Sequence, residues 1–273
     1  MMSLFHTFLY TPIYNLLMFF TDILPGQDIG LAVIAATLVI KVILMPLSFA
    51  ALRTQRAIKA LEPEMKRVRE ELKDDKEAQA KEMFALYKKY GVNPFAGILT
   101  LLIQLPIVLS LYWVFNNKTL LTVDPTLLYS FVPAPLAISP TFLGIFAIMG
   151  ASITLAGLAA LSQFAYGFYA IPVPEKSTKP AGTDMQADFG RALAMQMRFI
   201  LPVFIGIAAY YTSVAIALYF ITSNLVGILQ EFRVIRSKKV FRPERCFAYV
   251  HAGAGTGPWP RTRMFAFWAF LSQ

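Results

Sequence analysis

Residues 29–52 read IGLAVIAATLVIKVILMPLSFAAL. The run is apolar except for Thr37, Ser48 and one charge, Lys41, near its middle. At about 1.5 Å rise per residue, a continuous helix over it would be about 36 Å long, enough to cross a hydrocarbon core of about 30 Å with some tilt. A lysine at the centre of such a helix costs about 2.5–3.5 kcal/mol on insertion scales, so the rest of the chain has to supply a reason for it.

Composition agrees with a membrane setting. The chain is 57% hydrophobic and 15% charged, against about 45–50% and about 25% in soluble domains. That predicts an all-α, polytopic membrane protein. One cysteine, Cys246, cannot form a disulfide within the chain, and His6 and His251 lie too far apart in sequence to suggest a metal site. No nucleophile–base pair, phosphate-cradling glycine loop or metal-ligand cluster stands out, so neither an enzyme, a metal, a cofactor nor a small-molecule substrate is expected.

Outward from the central run, residues 1–28 predict an interfacial N-terminal helix rich in Phe and Tyr, with an extra span as the alternative. Residues 29–52 form the first span. Residues 53–93 turn strongly polar: Arg53 to Tyr90 holds eleven basic and eight acidic residues. Apolar positions at Ile58, Leu61, Met65, Val68 and Leu72, and again at Met83, Leu86 and Tyr90, mark two helical stripes around Asp74-Asp75. They predict an antiparallel hairpin standing off the membrane. Residues 94–239 supply four more spans and their loops, with cores at Phe95–Phe115, Thr141–Phe164, Phe199–Tyr211 and Ser213–Phe232. Residues 240–273 are expected to form an irregular tail.

Five alternating spans sort the charge. Of 25 Lys and Arg, 23 fall on the hairpin side, Lys118 alone falls on the other, and Lys41 is inside. The positive-inside rule then predicts an outside N-terminus and a cytoplasmic hairpin and C-terminus.

Several polar residues fall within the spans. Thr37 and Lys41 share a face of the first, and Thr100 and Gln104 share a face of the second. Tyr219, Ser223 and Asn224 cluster on the last. Each hydroxyl or amide taken singly fits a structural hydrogen bond to backbone or neighbouring helix. Lys41 is different, because none of the other spans carries an acidic residue before Glu231. The constellation predicts a hydrated, positively charged groove. A small transporter with Lys41 as an anion or proton site, and a packed scaffold with Lys41 paired, are the alternatives.

The motifs resemble the YidC/Oxa1/Alb3 membrane protein insertases over roughly residues 13–236. They are LVIKVILMPLS (Leu38–Ser48), ALEPEMKRVREELKDD (Ala60–Asp75), LYKKYGVNPFAG (Leu86–Gly97), LLIQLPIVLSLYWVF (Leu101–Phe115) and ALYFITSNLVGILQ (Ala217–Gln230), in that order. The resemblance implies five transmembrane helices around a hydrophilic groove, in a multi-pass protein of the bacterial inner membrane. It implies nascent membrane proteins and the lipid bilayer as partners, with the ribosome and the Sec translocon as further candidates. Lys41 stands where the family usually has a groove arginine, Thr37 at a polar groove position one turn earlier, and Phe220 at an aromatic position of the last span. Lysine lacks arginine's planar fork of donors, and phenylalanine lacks a polar tip.

Overall fold

The computed structural model describes residues 5–93, 96–116, 123–170 and 195–236, with side chains from residue 104 onward in the second of these segments. All belong to one unit, Met1–Val240; the expected tail lies outside the described residues, as does Lys118.

A π-helical turn, His6–Tyr10, leads directly into α1 (Thr11–Ile23), with Pro12 just after the junction. The helix buries Tyr10, Ile13, Tyr14, Leu17 and Met18 at spacings of three and four, and packs against the next helix. Gly26, at φ 72°, turns the chain through a short 3₁₀ segment to Asp28. Asp28 caps α2 (Ile29–Ile43): its Oδ1 accepts from the backbone N–H of Gly30 at 2.7 Å and of Leu31 at 3.1 Å.

The single helix expected over residues 29–52 is two. The chain breaks at Leu44, and α3 (Met45–Ala60) departs at 62° to α2. Pro46 is the cause that the sequence carries, because its ring clashes with the carbonyl four residues back and it has no N–H to continue the ladder. The polar region then forms α4 (Glu62–Glu71) and α5 (Lys76–Lys89). Asp75 caps α5 by accepting from Glu77 N and Ala78 N. The Tyr90 hydroxyl donates to Glu64 Oε1 at 2.7 Å and Gln79 Nε2 to the Arg69 carbonyl at 3.2 Å, pairing late residues with early ones in an antiparallel hairpin. Burial between the helices pushes the Tyr87 phenol above its usual range, and nearby Arg69 partly offsets it.

After α6 (Ala96–Asn116), the expected span from Thr141 begins twelve residues late, at α7 (Ile153–Ala170). The intervening apolar residues form β1 (Thr141–Phe142) and β2 (Phe146–Ala147), antiparallel, joined through Leu143 and Gly144 at φ 52° and 71°. Left-handed backbone at two successive residues is incompatible with a helix there. A second π-helical turn, Gln196–Ile200, starts α8 (Leu201–Thr212), and extended Ser213 separates it from α9 (Val214–Arg236).

The loop before α7 is stitched to the helix ends. Asn15 donates to the Leu127 carbonyl and accepts from Tyr129 N, and the Tyr14 hydroxyl accepts from Asp124 N. Ser139 N donates to the Gln27 carbonyl, Leu143 N to Asp28 Oδ2 at 2.7 Å, and Val214 N to the Gly150 carbonyl. Phe142 lies so close over α2 that a Cβ at Gly30 would sit 2.5 Å from its ring. Beneath this cap α7 packs on α8 and α9, and α9 packs on α2. At the α7–α8 contact a Cβ on Gly206 would come within 2.9 Å of the Ala160 Cβ, the small-residue approach expected where helices associate in lipid.

Among the described residues, α7 and the Val214–Val234 part of α9 are each long and apolar enough to cross a membrane, and the bent α2–α3 pair makes a third candidate.

Asp28→Ala removes the acceptor for three backbone donors at a buried position, and should lower stability by about 3 kcal/mol. Denaturation of the detergent-solubilised protein, followed by tryptophan fluorescence, measures it.

Candidate functional site

The last helix carries the polar residues that matter, and its sequence explains how. Tyr219, Thr222, Ser223, Asn224, Gln230 and Glu231 are all buried, and each buried polar atom there is costly unless it meets a partner. Tyr219 is the centre of one cluster. Gln104 Nε2 of α6 donates to its hydroxyl, Ser223 lies one turn further along within hydrogen-bonding reach, and Phe220 meets its ring edge-on at 5.4 Å. Asn224 turns the other way: its amide donates to the Ser162 hydroxyl of α7 at 3.0 Å.

Lys41 occupies a different environment from the one its sequence position suggests. Because α2 ends at Ile43, the lysine lies in that helix's last turn, not at the midpoint of a continuous span. The carbonyls of Ile40 and Val42 beside it accept from the Leu44 N–H at the bend. Lys41 is half-buried, and among the described residues it has no hydrogen bond or ion pair. Thr37, one turn earlier, is buried and donates to its own helix at the Val33 carbonyl, 2.6 Å away.

The structure therefore joins Gln104, Tyr219, Phe220 and Ser223 in one cluster, while Asn224 faces α7. No hydrogen bond links Lys41 or Thr37 to that cluster among the described residues. Thr100 lies on α6, with its side chain outside the described residues.

Two features were not anticipated. The first is an ion pair at the hairpin end: Arg56 of α3 donates to Glu231 Oε1 of α9 at 2.6 Å. An acidic residue near the end of an apolar helix, facing an Arg-rich segment, was the available signal, but its partner could not be chosen among eleven basic residues. The second is a cleft of about 520 Å³ between the start of α3 and the end of α9, lined by Met45, Phe49, Val226, Leu229, Gln230, Phe232 and Arg233. It begins one helical turn beyond Lys41.

Residues 19–241 match the family described as 60Kd inner membrane protein. The chain belongs to the YidC/Oxa1/Alb3 family. Relatives that carry the name membrane protein insertase YidC include one from Clostridium tetani and one from Francisella tularensis subsp. novicida. The one from Clostridium tetani is 30% identical over 206 residues, covering 76% of this chain and 81% of that protein. The one from Francisella tularensis subsp. novicida is 33% identical over 208 residues, 76% of this chain but 32% of that protein, so the chain spans about a third of that relative's length. Members of the YidC/Oxa1/Alb3 family are membrane insertion factors without enzymatic chemistry, and with its apolar helices the chain is a multi-pass inner-membrane protein.

The Arg56–Glu231 pair makes a measurable claim. Arg56→Ala leaves a buried carboxylate alone and should destabilise by about 3 kcal/mol, more than the Arg56→Ala/Glu231→Leu double variant. Thermal unfolding of the two single variants and the double gives the coupling.

Proposed function

We propose that the chain is an insertase that receives the polar flank of a nascent membrane protein in a positively charged groove and releases its hydrophobic segment sideways into lipid. The observation that carries this reading is Lys41: a cation in the last turn of α2 with no protein counter-ion among the described residues, in a chain of this family. Glu231, the acidic residue closest to serving it from the last helix, is already engaged by Arg56. Lys41 thus attracts an acidic or carbonyl group that a substrate brings. The Tyr219–Gln104 cluster with Ser223 and Phe220, together with Thr37, Thr100 and Asn224, is assigned to the groove wall.

Five spans complete the arrangement: α2 with the start of α3, then α6, α7, α8 and α9. At about 1.5 Å per residue, the 21 residues of α6 reach about 32 Å, and α8 with its preceding π-helical turn reaches about 25 Å. The charge distribution puts the N-terminus outside and the hairpin in the cytoplasm. No energy source beyond partitioning is needed, because apolar surface entering lipid gains about 25 cal/mol per Å². Substrates are nascent membrane proteins, and the ribosome and the Sec translocon are candidate partners at the basic face.

Lys41→Ala should reduce insertion of single-span substrates with acidic translocated tails by about tenfold, while Lys41→Arg keeps it. Complementation of an insertase-depleted strain, read by protease protection of the substrate tail, decides this; full insertion by Lys41→Ala would remove the charge from the mechanism. Orientation has its own test in a Cys246→Ser background. An impermeant maleimide added to intact cells should label Ser139→Cys and spare Glu77→Cys.

A further inference from the structure

The cleft between α3 and α9 is not used by the groove described above, and its chemistry is lopsided. Its walls are apolar: Met45, Phe49, Val226, Leu229 and Phe232. Its unpartnered polar groups are donors. Gln230 is 6% exposed, and its Nε2 is buried with no acceptor, although the residue lines the cleft. Arg233, one turn on, is exposed at the margin and has no hydrogen bond or ion pair among the described residues. A buried amide donor left without an acceptor costs about 1–3 kcal/mol, so the site is incomplete without a ligand that brings oxygens.

We propose that this cleft holds one acyl chain of an anionic phospholipid, with an ester carbonyl accepting from Gln230 Nε2 and the phosphate facing the Arg233 guanidinium. Charge complementarity favours this occupant. From Phe49, α3 runs on into Arg53, Arg56 and Lys59, and the nearby acidic Glu231 is neutralised by Arg56. A phospholipid brings acceptors and negative charge but no obligatory donors. A peptide backbone would bring an N–H for every carbonyl, with no matching excess of acceptors in the cleft. Leu229 at 64% and Phe232 at 45% exposure give the site an apolar margin open to surrounding chains. The proposal rests on α3 and α9 meeting at the membrane surface, and not on Lys41 receiving a substrate.

The test is native mass spectrometry of the full-length protein in detergent, offered dioleoyl phosphatidylglycerol, dioleoyl phosphatidylcholine or inorganic phosphate. The wild type should retain phosphatidylglycerol about fivefold over phosphatidylcholine, the preference expected from one basic residue at the headgroup level, and should not retain phosphate alone. Arg233→Gln should abolish the preference and Arg233→Lys should keep it. Gln230→Leu should weaken retention of both lipids, and Lys81→Gln on the hairpin should change nothing. Equal retention of the two lipids by the wild type, or a preference that survives Arg233→Gln in folded protein, would overturn the proposal. So would displacement of phosphatidylglycerol by an uncharged apolar peptide. Because no substrate is present, these outcomes are independent of whether Lys41→Ala inserts proteins.

Discussion

A single carboxylate, that of Asp28, joins the start of α2 to a backbone group 115 residues away. One oxygen closes the N-terminus of α2, and the other takes the Leu143 N–H of the β-hairpin. The segment just after the hairpin offers carbonyls to the start of α9, Gly150 to Val214 N and Ile148 to Ala215 N. The starts of α2 and α9 are thus both tied to the stretch from Leu143 to Gly150, α2 through the Asp28 side chain and α9 through its own backbone N–H groups. Around it, the exposed ends of helices find partners in the loop and not only in water, as the N–H groups of a first helical turn require.

At the opposite end the fastening is electrostatic. Arg56 holds Glu231 across the gap between α3 and α9, just beyond the bend at Leu44. Between the two fastenings, α2 and α9 present Lys41 and Tyr219. The bend places Lys41 in the last turn of α2 and not at the middle of one long helix. The bend also sets the cleft, because Met45 and Phe49 face α9 only after the chain has changed direction.

Much of this was legible in the residues. The two stripes of the hairpin and the order of apolar runs depend on local composition, which survives any rotation of a helix about its axis. Asp28 before an apolar run and Asp75 before α5 are the positions at which capping rules expect an acceptor. The misreadings share one cause. The runs at residues 29–52 and 141–152 are predominantly apolar, and hydropathy cannot tell a straight helix from a bent helix or a β-hairpin. Pro46 and Leu143-Gly144 decide those cases through backbone geometry. The pairings of Gln104 with Tyr219 and Asn224 with Ser162 depend on helix rotation, which no single segment encodes.

The cap at Asp28 also has a consequence in time. Its bond to Leu143 spans 115 residues, and the lacing to Val214 needs the last helix as well. At a synthesis rate of about 5–20 residues per second, Asp28 is made roughly 6–23 s before its partner on the hairpin. Until then its second oxygen has to be satisfied by water, so the N-terminal end of α2 stays wet while the chain grows. The bundle acquires its dry, fastened end only once Ala215 has been made, and a nascent chain stalled before residue 143 carries the capped helix without the cap's outer half.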